Sequence, residues 1–351
     1  MREIKILDCT LRDGGLGIED ANKTGIKMRV FNEKIIDRTI SYFSNSNLDI
    51  IELGSIEITD SDVTRYCIYP SIEEISKKIP QKHSENQMFV ALFRGPDTPI
   101  EDIPDWNKNY CKGIRVIIRY SELQKSLDFC KVLSEKGYKV FVQPMLTMRY
   151  TEEELDLIIK ASNNMKAYVL YFVDSYGYMT GKDVTYFLKK YDEKLNPEIK
   201  VGFHSHNNLN LAFSNVKTFI NYKTKRDIIV DSCILGMGQG AGNLQTEIIS
   251  NYLNKHHNKK YNYNMVLKIC ELIERFSPKP LWGYTITTLL PALHKVAYKY
   301  SINLRERYNL SYVEINYLLE NIPEDLRHRY TPENLEKLLS LFKKGRIYES
   351  C

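Results

Sequence analysis

Short runs of β-branched and other apolar residues recur along the chain, and each is followed by a stretch with helical periodicity. The runs predict eight strands, at Ile4–Leu7, Asp49–Leu53, Met88–Phe93, Gly113–Ile118, Lys139–Gln143, Ala167–Val173, Ile199–Phe203 and Ile228–Leu235. The intervening stretches predict helices at Glu33–Ser44, Ser71–Lys78, Ser121–Lys136, Thr151–Asn164, Lys182–Leu195, Leu209–Tyr222 and Asn243–Asn254, and leave room for a short helix within Ile100–Tyr110. This alternation predicts an α/β fold, a (β/α)₈ TIM barrel over residues 1–260. A doubly wound open sheet is the alternative.

Beyond Lys260 the strand pattern ends and helical periodicity continues. It predicts helices at Met265–Phe276, Pro291–Tyr300, Ser311–Asn321 and Pro332–Lys343. We therefore expect a C-terminal helical region over residues 261–351. Its apolar content is low for a separate core, so we expect it to complete the site or a homodimer interface.

Polar residues stand near the carboxyl ends of the predicted strands, where active sites of such barrels lie. Any one of them could be an ordinary loop residue, but their recurrence at one end predicts a site. Besides the metal-ligand candidates discussed next, the residues considered for substrate binding are Glu52, Arg94, Gln143, Asp174 and Ser175.

The seventh strand runs into an H-x-H pair, His204 and His206. Alternate strand residues face the same way, with Cβ atoms about 6–7 Å apart, so both rings can reach one cation. Asp13, after the first strand, is the natural third ligand, and this donor set suits Mn²⁺ or Mg²⁺, with Co²⁺ or Zn²⁺ as alternatives. The competing interpretations are ordinary strand-end histidines and an Asp13 that caps a turn and pairs with Arg12.

The segment Gly236–Asn243 contains G-x-G-x-x-A between a strand and a helix, which partly matches a dinucleotide-binding fingerprint. The acidic residue expected about 20 positions later is missing. The glycines are better explained by a backbone that approaches a ligand closely and turns Asn243 inward.

Composition narrows the function classes. The chain of 351 residues has a net charge of +5 with basic and acidic residues interspersed, so we expect no nucleic-acid partner. Seven cysteines without a C-x-x-C motif indicate reduced thiols. The N-terminus lacks the apolar segment of a signal peptide, and no apolar run reaches the roughly 20 residues of a membrane span. We expect a cytoplasmic protein.

Three motifs in order, Leu7–Gly14, Gly202–Asn208 and Gly236–Asn243, resemble those of the DRE-TIM metallolyase superfamily, to which HMG-CoA lyase belongs. Within it the chain is most similar to 4-hydroxy-2-oxovalerate aldolase-like proteins. The resemblance implies a metal-dependent lyase that acts on a small 2-oxo acid. It also implies metal ligation by Asp13, His204 and His206, with Asn243 as a ligand in some members, and a catalytic Arg12.

The chain departs from these aldolases at Leu16, where the resemblance leads one to expect a catalytic histidine. Tyr284 and His294 of the C-terminal region are the predicted substitutes, with a metal-bound water as the alternative. Three functions stay open: an aldolase for 4-hydroxy-2-oxo acids, a Claisen-type synthase that joins an acyl-CoA and a 2-oxo acid, and a non-catalytic metal-binding protein. For the aldolase we expect a homodimer and a partner enzyme that processes the aldehyde.

Overall fold

A computed structural model of the chain describes residues 2–23, 28–57, 66–275 and 282–343. Within these residues one sheet of nine parallel strands has the order β1-β9-β8-β7-β6-β5-β4-β2-β3. Strand β1 also pairs with β2, so eight strands close a barrel, and β3 pairs only with the end of β2. The strands are β1 Ile4–Asp8, β2 Ile50–Ile56, β3 Ile68–Tyr69, β4 Met88–Phe93, β5 Gly113–Ile118, β6 Lys139–Pro144, β7 Val169–Asp174, β8 Lys200–Ser205 and β9 Ile228–Ser232. The predicted TIM barrel is confirmed, and the open sheet is wrong.

Helices follow the strands and surround the barrel. They are α1 Thr10–Lys23, α2 Glu33–Ser44, α3 Ile72–Ser76, α4 Leu123–Glu135, α5 Glu152–Asn164, α6 Gly181–Lys194, α7 Ala212–Asn221, α8 Thr246–His256 and α9 Tyr263–Glu274. The C-terminal helices are α10 Ile286–Leu293, α11 Lys299–Glu306, α12 Tyr312–Glu320, α13 Glu324–Arg327 and α14 Pro332–Lys343. In the described part of the chain, no helix is both long and apolar enough to span a bilayer.

Helix α1 was not among the predicted helices, and a turn capped by Asp13 was one interpretation of this segment. Asp8, at the end of β1, accepts a hydrogen bond of 2.9 Å from the backbone N–H of Thr10, the first residue of the helix. This satisfies one of the N–H groups that a helix leaves without an intrahelical partner. The glycines allow close packing: a Cβ at Gly15 would lie 2.1 Å from the carbonyl oxygen of Tyr66, and one at Gly17 2.6 Å from that of Gly238. Tertiary contacts therefore override the low helix propensity of glycine here.

The barrel core extends beyond the predicted boundary at Lys260. Helix α9 packs against α2 and α8, and its buried residues Val266, Ile269 and Ile273 belong to the same hydrophobic core as the strands. The first helix after Lys260 is thus part of the barrel's outer layer. The division at residue 260 stays a prediction, and the last residue of the predicted helix Met265–Phe276 lies outside the described residues.

The C-terminal helices enclose a second hydrophobic core. It includes Tyr300, Leu304, Leu318 and Leu338, so the expectation that this region is too polar for its own core is wrong. The predicted helix Pro291–Tyr300 is in fact the end of α10 and the start of α11, because the chain turns at a left-handed Lys295 with φ of 57°.

The glycine packing of α1 leads to a stability prediction. Gly17→Ala should destabilise the protein by about 1–3 kcal/mol, because the new methyl group meets a backbone carbonyl that cannot move aside easily. Gly181→Ala, in the first turn of α6, is the matched control: its nearest atom would be the Thr218 hydroxyl at 3.3 Å, and the variant should stay within about 1 kcal/mol of wild type. Urea unfolding measures both, and equal stability of the two variants would contradict the packing argument.

Candidate metal centre and active site

A buried cluster at the carboxyl ends of β1 and β8 brings together Cys9, Asp13 and His204. One potential ligand atom from each residue lies within 4.8 Å of the others. Asp13 and His204 were predicted as ligands, whereas Cys9 was not. His206 lies beside His204, with a distance of 5.1 Å between ring centroids. The alternation of residues along β8 thus places both rings next to each other, as predicted.

Asp13 is held as a carboxylate by its neighbours. Arg12 Nη1 donates to Asp13 Oδ1 at 2.7 Å, Asn243 Nδ2 donates to Oδ2 at 2.5 Å, and His204 Nε2 lies 3.5 Å from Oδ2. Burial alone would raise the pKa of Asp13, but the Arg12 and His204 charges outweigh it and hold that pKa below its usual range. The group is therefore ionised at neutral pH, as a metal ligand must be.

His204 is oriented by a second carboxylate. Its Nδ1 lies 2.8 Å from Asp231 Oδ2, which leaves Nε2 on the side of Asp13. Burial opposes protonation, yet the contacts with Asp13 and Asp231 raise the pKa of His204 well above its ordinary value. A carboxylate behind a histidine is the usual arrangement that fixes a metal-binding ring.

His206 and Asn243 complete the predicted ligand set. Burial and the nearby His204 lower the pKa of His206 to about 4, so its ring is neutral at pH 7. Asn243 pairs with His206 in an isolated antiparallel bridge, and its Oδ1 has no hydrogen-bond partner among the described residues. A Cβ at Gly238 would lie 2.3 Å from Asn243 Nδ2. Glycine at 238 therefore lets Asn243 turn toward Asp13.

A layer of buried charges lies next to these candidate ligands. Arg115 Nη1 donates to Glu52 Oε2 at 2.7 Å and its Nη2 pairs with Asp231, while Arg12 Nε donates to the same Glu52 oxygen at 2.9 Å. Tyr171 donates to the other Asp231 oxygen at 2.9 Å. Sequence analysis missed Arg115, Tyr171 and Asp231, although polar residues inside otherwise apolar strands were a signal that could have found them.

The residues predicted to bind substrate have different hydrogen-bond and ion-pair partners. Glu52 belongs to the buried charge layer, and the side-chain nitrogen of Gln143 is buried without a described hydrogen-bond partner. Asp174 accepts from the backbone N–H groups of Tyr178 and Met179, and burial raises its pKa to about 7. Ser175 accepts from the backbone N–H of Leu146, and Arg94 forms ion pairs with Glu19 and Glu57. Asp174 and Ser175 thus brace loops, and Arg94 is neutralised at the rim.

The C-terminal residues predicted to replace the missing histidine have other surroundings. Tyr284 is 55% exposed. His294 ends α10, and its Nε2 lies 2.8 Å from Asn316 Oδ1 of α12. Their described contacts therefore do not connect them with Asp13 or His204. Leu16, at the position of the expected histidine, is half-buried on α1.

The residues present suit a divalent cation. The donor set mixes oxygen and nitrogen: an ionised carboxylate, a histidine whose Nε2 faces it, a neutral second imidazole, and an amide oxygen that has no hydrogen-bond partner in the described part of the chain. The Cys9 thiol adds a softer atom beside them. The fold and this cluster define a TIM barrel with a candidate metal centre at the carboxyl ends of its strands.

Comparison with known proteins identifies the family. The model of the HMGL-like family matches residues 113–273. A 4-hydroxy-2-oxovalerate aldolase from Thermomicrobium roseum is 43% identical over 252 residues, covering 72% of this chain and 67% of the relative. The aldolase of the same name from Carboxydothermus hydrogenoformans is 27% identical over 254 residues, 71% of this chain and 70% of the relative. The chain belongs to the HMGL-like (DRE-TIM) family, which confirms the resemblance inferred from the three motifs.

A solved structure supports the same assignment. The N-terminal domain of a candidate aldolase from Bacteroides vulgatus superposes with a TM-score of 0.71 at 26% identity. The match covers 87% of this chain and 98% of that domain. Since most of the chain is matched, the likeness extends beyond the barrel into the C-terminal helices.

The buried charge layer leads to a second stability prediction. Arg115→Met should destabilise the protein by about 3–5 kcal/mol, because Glu52 and Asp231 lose the cation that offsets their burial. The matched control is Arg94→Met, which removes ion pairs at a partly exposed position with 20% side-chain exposure, and should cost about 0–1 kcal/mol. Denaturant unfolding at pH 7 compares the two. A similar cost for both would show that the inner layer is not energetically special.

Proposed function

We propose that the protein is a divalent-metal-dependent aldolase that cleaves or forms a carbon–carbon bond in a 4-hydroxy-2-oxo acid through a pyruvate-type enolate. The observation that carries the proposal is the buried cluster of Asp13, His204 and Arg12 at the catalytic end of the barrel. The names of the relatives support the substrate class.

Asp13, His204 and His206, with Asn243 as a further ligand, would hold the cation. When bound, the cation would polarise the carboxylate and keto oxygens of the 2-oxo acid. Mn²⁺ or Mg²⁺ fits the oxygen-rich part of the donor set, and the neighbouring thiol keeps Co²⁺ or Zn²⁺ as alternatives.

Arg12 supplies the protein's own positive charge beside the metal ligands. Its contacts with Asp13 Oδ1 and Glu52 Oε2 fix the guanidinium in one orientation. A preorganised cation at this position stabilises the negative charge that develops on the enolate oxygen. Burial lets that charge act in a medium of low dielectric constant, where its effect is larger than in water.

Aldol cleavage also requires a group that takes the proton of the substrate hydroxyl. The exposure of Tyr284 and the bond between His294 and Asn316 favour neither residue for this role. Leu16 has no titratable group. A homodimer, an aldehyde-processing partner and a cytoplasmic location stay predictions that belong to the same proposal.

Metal content tests the ligand set. Asp13→Asn and His204→Ala should each weaken Mn²⁺ binding at least about tenfold, because each removes a donor from the cluster. Asp102→Asn, at an exposed position, is the control and should bind metal as wild type does. Elemental analysis of reconstituted, desalted protein gives the metal per chain. Unchanged metal in both site variants would mean that the cation is held elsewhere.

Pyruvate enolisation tests the chemistry. With Mn²⁺ present, the wild-type protein should exchange the methyl protons of pyruvate with solvent deuterium, which NMR detects directly. Arg12→Lys keeps the charge but loses the two-pronged contact with Asp13 and Glu52, so exchange should fall by about 10²–10³. Arg38→Lys, exposed on α2, is the control. Wild-type exchange by Arg12→Lys would reduce Arg12 to an ion-pair partner of Asp13.

A further inference from the structure

Two cysteine thiols face each other next to the candidate metal ligands. Cys9 Sγ lies 3.3 Å from Cys233 Sγ, and both residues are fully buried. No other cysteine in the described part of the chain has a second thiol within hydrogen-bonding distance. If the sulfur of Cys9 is oxidised, the thiol that it meets first is therefore that of Cys233.

The pairing of β1 with β9 sets this contact. The two strands are parallel and in register up to Asp8, which lies opposite Ser232. The backbone N–H of Cys9 continues the ladder, because it donates to the Ser232 carbonyl at 2.9 Å. Cys9 and Cys233 are thus the next pair, and the spacing of neighbouring strands puts their Cα atoms about 4.8 Å apart. A disulfide needs Cα atoms about 4.4–6.8 Å apart, so the backbone already has the required separation.

Both sulfurs also contact the candidate metal site. Cys9 Sγ lies within 4.8 Å of ligand atoms of Asp13 and His204. The backbone N–H of Asp13 donates to the Cys9 carbonyl at 2.8 Å, as in a helical turn, so the two side chains lie on the same side. On the other sulfur, Asn243 Nδ2 donates to Cys233 Sγ at 3.3 Å and to Asp13 Oδ2 at 2.5 Å. A change at either sulfur therefore reaches a predicted ligand.

We propose that Cys9 and Cys233 are a redox pair, and that their oxidation to a disulfide by a peroxide lowers the affinity of the site for its cation. Cys9 reacts first, because its thiol faces the ligand cluster. Its sulfur bonds to one oxygen of hydrogen peroxide, the O–O bond breaks, and the thiol proton leaves with the other oxygen as water. Cys233 then attacks the sulfenic sulfur, the S–O bond breaks, and the hydroxyl leaves as a second water with the Cys233 proton. The two thiols together lose two electrons, which the peroxide accepts.

The disulfide changes the contacts of the ligands because the sulfurs must approach each other. Their separation falls from 3.3 Å to about 2.05 Å, so at least one sulfur leaves its present position. Movement of Cys9 withdraws a thiol from the cluster, and movement of Cys233 alters the contact that orients Asn243. Loss of such an outer partner typically weakens metal binding by about 10–100-fold.

Burial decides how the oxidant arrives. Neither thiol is exposed, so peroxide must enter by the route through which a substrate reaches Asp13 and His204. Hydrogen peroxide is smaller than any 2-oxo acid and can use the same route. The route and the cation both rest on the proposed function, whereas the contact between the two thiols does not.

The cross-link is tested on metal-free, reduced protein treated with excess hydrogen peroxide, unfolded and alkylated. Mass spectrometry of wild type should show two thiols protected from alkylation, the loss of two hydrogen atoms, and one peptide pair that joins Cys9 to Cys233. Dithiothreitol should restore both thiols. Cys9→Ser and Cys233→Ser should lack the linked pair. Cys270→Ser, which removes a half-buried thiol on α9, is the control and should form the link as wild type does.

The effect on the cation is measured as Mn²⁺ affinity, from the electron paramagnetic resonance signal of unbound Mn²⁺. Reduced, oxidised and re-reduced wild type are compared after mass spectrometry has confirmed the state of the thiols. Oxidation should lower the affinity at least about tenfold, and reduction should restore it. Cys270→Ser should respond in the same way as wild type.

The outcomes separate this inference from the proposed function. If reduced wild type binds Mn²⁺ but forms no Cys9–Cys233 link, or only a sulfinic acid on Cys9, the redox pair alone is overturned. A mapped link with unchanged Mn²⁺ affinity overturns the switch. If the reduced protein binds no Mn²⁺, the metal-dependent function and the switch fall together, and the linked peptide still decides whether the thiols pair.

Discussion

The buried chain of charges from Asp13 through Arg12, Glu52 and Arg115 to Asp231 is the constraint on which the site depends. Three carboxylates and two guanidinium groups leave one negative charge, and His204 lies in contact with the carboxylates at both ends of the chain. This geometry explains why the pKa of His204 is raised and that of Asp13 lowered. A proton on His204 and a divalent cation would compete for the same Nε2. The net negative charge of the network therefore favours a proton or a cation beside His204.

The second core gives the barrel mouth a wall that the strands alone would not supply. Tyr298 and Lys299 reach Asp20 on α1, and the Tyr176 hydroxyl donates to the carbonyl of His328 at 2.7 Å. These contacts hold the C-terminal helices beside the strand-end loop that carries Gly238 and Asn243. A cavity lined by Gly17, Gly238 and Tyr298 lies at this junction.

Much of the site could be predicted because its residues directly follow strands that the sequence pattern indicates. The spacing of His204 and His206 on one strand fixes which way both rings point, and Asp13 follows the first strand closely. By contrast, Arg115 in β5 and Asp231 in β9 reach the site through the pairing of strands that are distant in sequence. Cys9 follows β1 even more closely than Asp13 does, and its thiol was overlooked. The roles of Tyr284 and His294 were expected from resemblance, and the exposure of one and the Asn316 contact of the other follow from how α10 and α12 pack.

The sequence by itself determined the eightfold alternation of strands and helices, the barrel class, and the positions of the predicted ligands Asp13, His204, His206 and Asn243 at strand ends. It could do so because hydrophobic periodicity and the order of motifs are read directly from the chain. Only the tertiary structure decided that glycine-rich residues form α1, because the gain lies in close contacts with Tyr66 and Gly238. It also decided that the last helices have their own core and leave a cavity against α1. These features depend on packing between segments that are far apart in the sequence. A local sequence pattern does not specify how closely such segments approach each other.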